Sequence, residues 1–271
     1  MQRRKFLAST ITASAAALAA ASSSALAQAA QQPSDANKRE FYVLRRYLLA
    51  AGPQRKFTDD YLRDALLPAL NRLEFSPIGV FNVTIGPDMP QICVIIPGFS
   101  LEKLVTVDGL LQKDSEYSKA AAAFLNAPAK EPAFKRIESS LMQAFEKMPR
   151  LTLPPASAAH SPRVFELRTY EGASDLDHAR KIEQMSTGEV DIFNKAGIPQ
   201  VFYGDTLIGQ RLPNLTYMIC FESLAERDKK WSDFFNSDGW KASSSNPRFN
   251  FENIVSNTTS MMLAPTPYSQ I

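Results

Sequence analysis

Glu166, Arg168 and Tyr170 alternate through the segment Val164-Phe165-Glu166-Leu167-Arg168-Thr169-Tyr170. In a strand, every second side chain shares a face, so the polar trio shares one face and Phe165 and Leu167 the other. An acid, a guanidinium and a phenol within reach of each other can hold a carboxylate or enolate oxygen and move a proton. The same group can also be self-contained, with Glu166 neutralising Arg168 or Arg45 and nothing left over for a ligand. Arg45 and Tyr47 repeat the Arg-x-Tyr spacing upstream. If the apolar pair packs on helices, both Arg/Tyr pairs face a space between two sheets.

Further candidates are scattered. His178 is the candidate base, or the axial ligand of a haem. Its neighbours Ser174, Asp175 and Asp177 equally describe a solvated helix start, and His160 lies in a Pro/Ala/Ser stretch. Trp231, Phe234, Phe235 and Trp240 could line a flat apolar site, with Trp231 packing on a ring. Their helical spacing also suits a core face. Tyr203 and Tyr217 sit on apolar strands and could offer a hydroxyl. The ligand-binding set is therefore Arg45, Tyr47, Glu166, Arg168, Tyr170, Tyr203, Tyr217 and Trp231. Arg168, Tyr170 and His178 are the weaker catalytic candidates. No phosphate loop, Gly-x-Ser-x-Gly elbow or His-Glu-x-x-His pattern occurs, and no metal site is expected. No cofactor motif is present, and haem stays open only through His178. Cys93 and Cys220 lie in apolar runs, as buried thiols or as an oxidised pair.

The elements that must position these residues occur twice. Leu44-Arg45-Arg46-Tyr47 matches Leu167-Arg168-Thr169-Tyr170. Ser100 and Ser223, then Tyr117 and Trp240, keep the same offset of 123. Matches in one order at a nearly constant offset argue for duplication. Each half reads strand, helix, strand, strand, helix, strand, a ferredoxin-like βαββαβ unit. Ser174-x-x-Asp177 and Ser223-x-x-Glu226 cap helices, Gly197 ends one, and a last strand is expected around Phe249 to Thr259. In the first half Thr58 should cap a helix that Pro68 kinks or splits. The class is α+β, with tandem ferredoxin-like repeats forming a dimeric α/β-barrel type domain. The divisions are a diverged repeat over 40–148, a Pro/Ala/Ser linker over 149–162 and a second repeat over 163–271.

Four segments of the second half carry a family resemblance. They are Val164 to Tyr170, Gly197-Ile198-Pro199-Gln200-Val201-Phe202-Tyr203-Gly204, Leu212 to Met218, and Trp231-x-x-Phe234. With the closing Pro267-Tyr268-Ser269-Gln270-Ile271, they resemble the NIPSNAP family. The resemblance implies a dimeric α/β-barrel fold, shared by monooxygenases, haem enzymes and ligand binders, and no single reaction. Three functions are compatible with it: a small-molecule binder using a space between the sheets, a cofactor-free oxygenase or isomerase, and a non-enzymatic interaction scaffold.

Residues 1–27 read as a twin-arginine signal peptide. Arg3-Arg4-Lys5-Phe6-Leu7 leads an Ala/Ser/Thr-rich apolar stretch, and Ala25-Leu26-Ala27 offers a cleavage site. Gln2 and Ala8 depart from the usual pattern, which leaves an ordinary secretory signal or an uncleaved anchor as alternatives. A flexible N-terminal segment over 28–39 follows. The expected location is periplasmic or secreted, in a bacterium, with the twin-arginine export machinery as a partner. Of 30 Lys and Arg and 28 Asp and Glu, losing Arg3, Arg4 and Lys5 leaves 27 against 28, a net charge of −1. No basic surface excess remains for nucleic acid. Homo-oligomers are expected, because edge strands and barrel rims need cover.

Overall fold

The computed structural model describes residues 38–271. The signal segment, its twin arginines and residues 28–37 lie outside the described residues. Arg39–Ile271 form one compact unit.

Eight antiparallel strands close into a barrel in the order β1-β3-β2-β8-β5-β7-β6-β4, with helices outside. In chain order these are β1 Phe41–Leu48, β2 Gly79–Ile85, β3 Gln91–Gly98, β4 Arg136–Ala144, β5 Val164–Gly172, β6 Gln200–Ile208, β7 Asn214–Phe221 and β8 Val255–Pro265. The β2–β8 and β4–β6 ladders join the first four strands to the last four, each with a register shift. Closure pairs both edges of every strand, so no backbone ladder is left open.

Several corresponding elements recur at one spacing. Strands β1 and β5, strands β3 and β7, and the helix caps Ser100 and Ser223 each start 123 residues apart. The long helices share an unusual detail. Residues 53–72 run as Pro53–Tyr61, a π turn Leu62–Leu66 and Leu67–Arg72. Residues 175–195 run as Asp175–Gln184, a π turn Met185–Glu189 and Val190–Lys195. Pro68 follows the first π turn, and its missing N–H leaves the Asp64 carbonyl, four residues back and inside that turn, without its α-helical donor. The second helix makes the same kind of π turn without a proline, so the turn does not require one.

Three expectations change. Thr58 caps nothing: the helix begins at Pro53, and the buried Thr58 hydroxyl donates to the Ala133 carbonyl at 3.0 Å. The last strand starts at Val255, because Asn246 and Asn250 cap two short turns over 247–254. The 149–162 segment includes a helical turn, Pro155–Ala158, and its start is tied to the barrel. The Leu151 amide donates to the Glu40 carboxylate at 2.6 Å and the Thr152 amide to the Val201 carbonyl at 2.8 Å. Burial, the largest influence on Glu40, raises its carboxyl above the ordinary value despite that amide.

Gly172 ends β5 where the 175–195 helix crosses it. A Cβ there would lie 2.8 Å from the His178 Cβ and 3.1 Å from its backbone N. Backbone cannot swing aside, so Gly172→Ala should cost about 1–3 kcal/mol of stability. Urea unfolding monitored by circular dichroism measures it; an unchanged midpoint would show that the helix start shifts freely.

Candidate functional site

The strand faces are the reverse of the expectation. Phe165 and Leu167 point into the barrel, in one cluster with Tyr42, Leu44, Phe81 and Phe202. Tyr42 meets Phe202 at 4.9 Å and Phe81 meets Phe165 at 5.0 Å between ring centroids. Cys93 and Cys220 lie in this cluster as free thiols, and burial pushes each up to about 12. The bore is therefore packed with apolar side chains. Glu166, Arg168 and Tyr170 face outward, beneath the helices. The physical reason is the closed barrel: its bore is drier than the helix-covered outer face, whose margins reach water and helix-borne polar groups.

Beneath the helices, Glu166 is fully buried and gathers donors from three elements. Arg168 reaches it at 2.7 Å, Arg227 Nε at 2.7 Å, Trp231 Nε1 at 2.8 Å and Ser260 Oγ at 2.6 Å. Burial alone would push the carboxyl up, but the Arg227 hydrogen bond, the Arg168 charge, Ser260 and Trp231 outweigh it and hold it at about 2. Arg168 also lies 4.8 Å over the Trp231 ring and donates to the Tyr170 hydroxyl at 3.3 Å. Burial opposes the Arg168 charge, yet Tyr217, Tyr170 and Glu166 together raise its pKa. Tyr170 and Tyr217 share a hydrogen bond of 2.8 Å, and Tyr203 stacks on Tyr217 at 5.2 Å. Burial raises the Tyr203 and Tyr217 phenols well above their ordinary value. Trp231 and Phe234 are core against Phe193. The group is a satisfied charge cluster, with Arg168 and not Arg45 as the Glu166 partner.

Arg45 and Tyr47 occupy the matching face of the first half and do not meet Arg168. Arg45 pairs with Asp108 at 2.9 Å, and Tyr47 joins the separate core of Tyr61, Leu66 and Phe124. The two Arg/Tyr pairs do not share a cavity. His178 is committed as well: Nε2 sits 2.8 Å from an Asp205 carboxylate oxygen. The sequence reading missed Lys181, whose buried ammonium meets Glu189 at 2.7 Å and Gln184 at 2.9 Å. It lies 5.2 Å over the Tyr170 ring.

Space for a ligand lies elsewhere, at the barrel mouth between the β2–β3 and β6–β7 hairpins. A cavity of about 70 Å³ is walled by residues of both halves, among them Leu44, Arg46, Glu138, Leu167, Thr169, Arg211, Thr216 and Met261. Leu44, Leu167 and Met261 form an apolar floor continuous with the filled bore. Above it the Thr169 and Thr216 hydroxyls share a 2.8 Å hydrogen bond, and Asn214 accepts from Thr206 at 2.7 Å. Arg46 donates to Glu138 at 3.0 Å and Gln91 at 2.9 Å; Arg211 donates to Thr259 at 3.1 Å. The lining carries two guanidinium groups against one carboxylate, and the hydroxyls are adjacent, so it suits a compact oxygen-bearing molecule. A sequence signal existed: Leu44 and Leu167 point inward, and Arg46 and Thr169 follow two residues later on that inward face. Larger and more open hollows of about 360 and 790 Å³ lie beside Pro154 and beside Phe57. Among the described residues, no group of three or more His, Cys, Asp or Glu is placed to hold a metal ion.

The NIPSNAP family model matches residues 165–270. No curated protein matches the chain. Among solved structures, a candidate monooxygenase from Lactobacillus acidophilus superposes with a TM-score of 0.54 at 9% identity, over 84% of this chain and 94% of that one. A second candidate monooxygenase, from Fusobacterium nucleatum, gives 0.51 at 6% identity over 84% and 92%. A NIPSNAP-like domain protein from Burkholderia xenovorans gives 0.37 at 16% identity, over 41% of this chain and 90% of that one. At these identities the first two likenesses concern the fold alone.

Proposed function

We propose that this chain binds a small oxygen-bearing molecule at the mouth of its barrel, where the two halves meet. The observation that carries the reading is the mouth cavity itself: hydroxyl, amide and guanidinium groups over an apolar floor, atop an otherwise filled bore. A water needs about 10–15 Å³ of such space, so the cavity suits roughly five non-hydrogen atoms. Small hydroxy acids, diols and amides fit that description. A compact ligand gains at most about 1.5 kcal/mol per non-hydrogen atom, which places the dissociation constant no tighter than about micromolar.

Titration calorimetry with glycolate, lactate, acetamide and propane-1,2-diol tests this. One of the four should bind, and Thr216→Val, which removes a hydroxyl without changing volume, should weaken it about tenfold. Binding that ignores Thr216→Val, or no heat from any of them at about 10 mM, would overturn the proposal.

The broader reading rests on the same frame. The nearly constant spacing of strands, caps and π turns supports tandem ferredoxin-like halves descended from one unit. We read the twin arginines as directing export through the twin-arginine machinery to the periplasm, already folded. An oxygenase or isomerase is the second reading, favoured by the two candidate monooxygenases with the same fold. In that version the mouth hydroxyls are better placed to meet a substrate than Arg168, Tyr170 and Trp231, which hold one another and Glu166.

A further inference from the structure

The rim of the barrel mouth carries a feature that ligand binding leaves unused. Two hairpins rise from it, β2–β3 and β6–β7, and the strand order puts them four strands apart in a closed ring of eight, on opposite sides of the mouth. They match residue for residue at the 123 spacing: Ile85 with Ile208, Asp88 with Arg211, Met89 with Leu212. Asp88 and Arg211 both have a left-handed backbone, φ 56° and 58°. The hairpins therefore present corresponding side chains in corresponding geometry.

The apolar members are exposed. Ile85 is 56% accessible, Ile208 63%, Met89 48% and Leu212 49%. Branched and thioether side chains are held out into water at the tips of both hairpins, where polar turn residues would be the ordinary choice. The charged members are of opposite sign. Asp88 lies 3.3 Å from Arg46 and Arg211 3.7 Å from Glu171, each more than two-fifths exposed and able to accept a second partner.

We infer that this rim docks a second copy of the same chain, mouth to mouth, with each β2–β3 hairpin seated on the β6–β7 hairpin of its partner. A twofold axis in the plane of the mouth, perpendicular to the line joining the hairpins, exchanges the two sides of the rim. Under that operation Asp88 faces Arg211 of the second copy, and Arg211 faces the other Asp88. Ile85 and Met89 meet Ile208 and Leu212 of the second copy. Such an isologous contact is self-complementary in charge and apolar surface together. The mixed charge favours this partner over an anionic membrane, which would select a basic rim. Of the residues that form this contact only Arg211 also walls the mouth cavity; Ile85, Asp88, Met89, Ile208 and Leu212 lie outside its lining.

Sedimentation equilibrium of the purified protein tests the inference. The wild type should be a dimer at micromolar concentration. Arg211→Asp sets two acids against each other at both symmetry-related contacts, and should weaken the dimer by at least about 100-fold. The exchanged pair Asp88→Arg with Arg211→Asp should restore it, since each residue then occupies a backbone position already used by the other type. Ile208→Glu serves as a second disrupting variant should Arg211→Asp fail to fold by circular dichroism. A monomeric wild type, a dimer indifferent to both Arg211→Asp and Ile208→Glu, or an exchanged pair that stays monomeric while folded would each overturn the inference.

Discussion

Glu166→Ala is expected to destabilise this protein by about 3–5 kcal/mol and to lower its melting temperature by roughly 10 °C. The carboxylate is fully buried and is the shared acceptor for Arg168, Arg227, the Trp231 indole and Ser260. Removing it leaves two guanidinium groups facing each other, and a buried N–H with no acceptor. Glu166→Gln should cost less, since it keeps a carbonyl, but it lacks the charge. The pH dependence has a definite sign. The folded carboxyl sits at about 2 against an ordinary 4.5, so its contribution is complete above the ordinary value and is lost as pH falls toward the folded one. The linkage is worth about 3 kcal/mol. The stability gap between wild type and Glu166→Gln should thus be constant from pH 7 to about 5 and close below about 4. Urea midpoints at several pH values measure it, and a gap that does not change with acid would show that the Glu166 charge is not what ties the cluster together.

Phe202→Ala should cost about 3–5 kcal/mol as well, for an unrelated reason. Phe202 is completely buried in the bore and packs on Tyr42 at 4.9 Å. Eight strands bonded on both edges cannot move inward to fill the vacancy, so the transfer term and the cavity term are both retained in full. The vacancy would be lined by apolar groups and dry. Benzene should then bind and raise the melting temperature of Phe202→Ala while leaving the wild type unaffected. A loss below about 1 kcal/mol, or equal benzene binding by wild type, would mean the bore already holds space.

Much of this architecture was legible because its signals are local. Alternation in Val164 to Tyr170, the serine caps at Ser174 and Ser223, and Gly197 at φ 65° lie where the pattern put them. Alternation separates two faces but does not say which is dry. That choice depends on closure: in a barrel the interior is the driest place, so Phe165 and Leu167 take it and Glu166 goes to the helices. The Glu166 cluster could not be assembled from sequence because Arg227, Trp231 and Ser260 approach from distant segments. Nor does the pattern around Lys181 distinguish a buried ion pair with Glu189 from a solvated helix face. The mouth was within reach, since Arg46 and Thr169 continue the inward positions of Leu44 and Leu167. The hairpin loops that complete it follow no periodicity.

The most direct measurement is methyl chemical-shift mapping of the protein titrated with the ligand that calorimetry identifies. Binding at the mouth predicts shifts at Leu44, Leu167, Thr169, Thr216 and Met261, with Val190, Ile192 and Ile254 beneath the helices unmoved. Shifts confined to Val190, Ile192 and Ile254 would contradict the account and move the site to the helix-covered face around Arg168 and Tyr170.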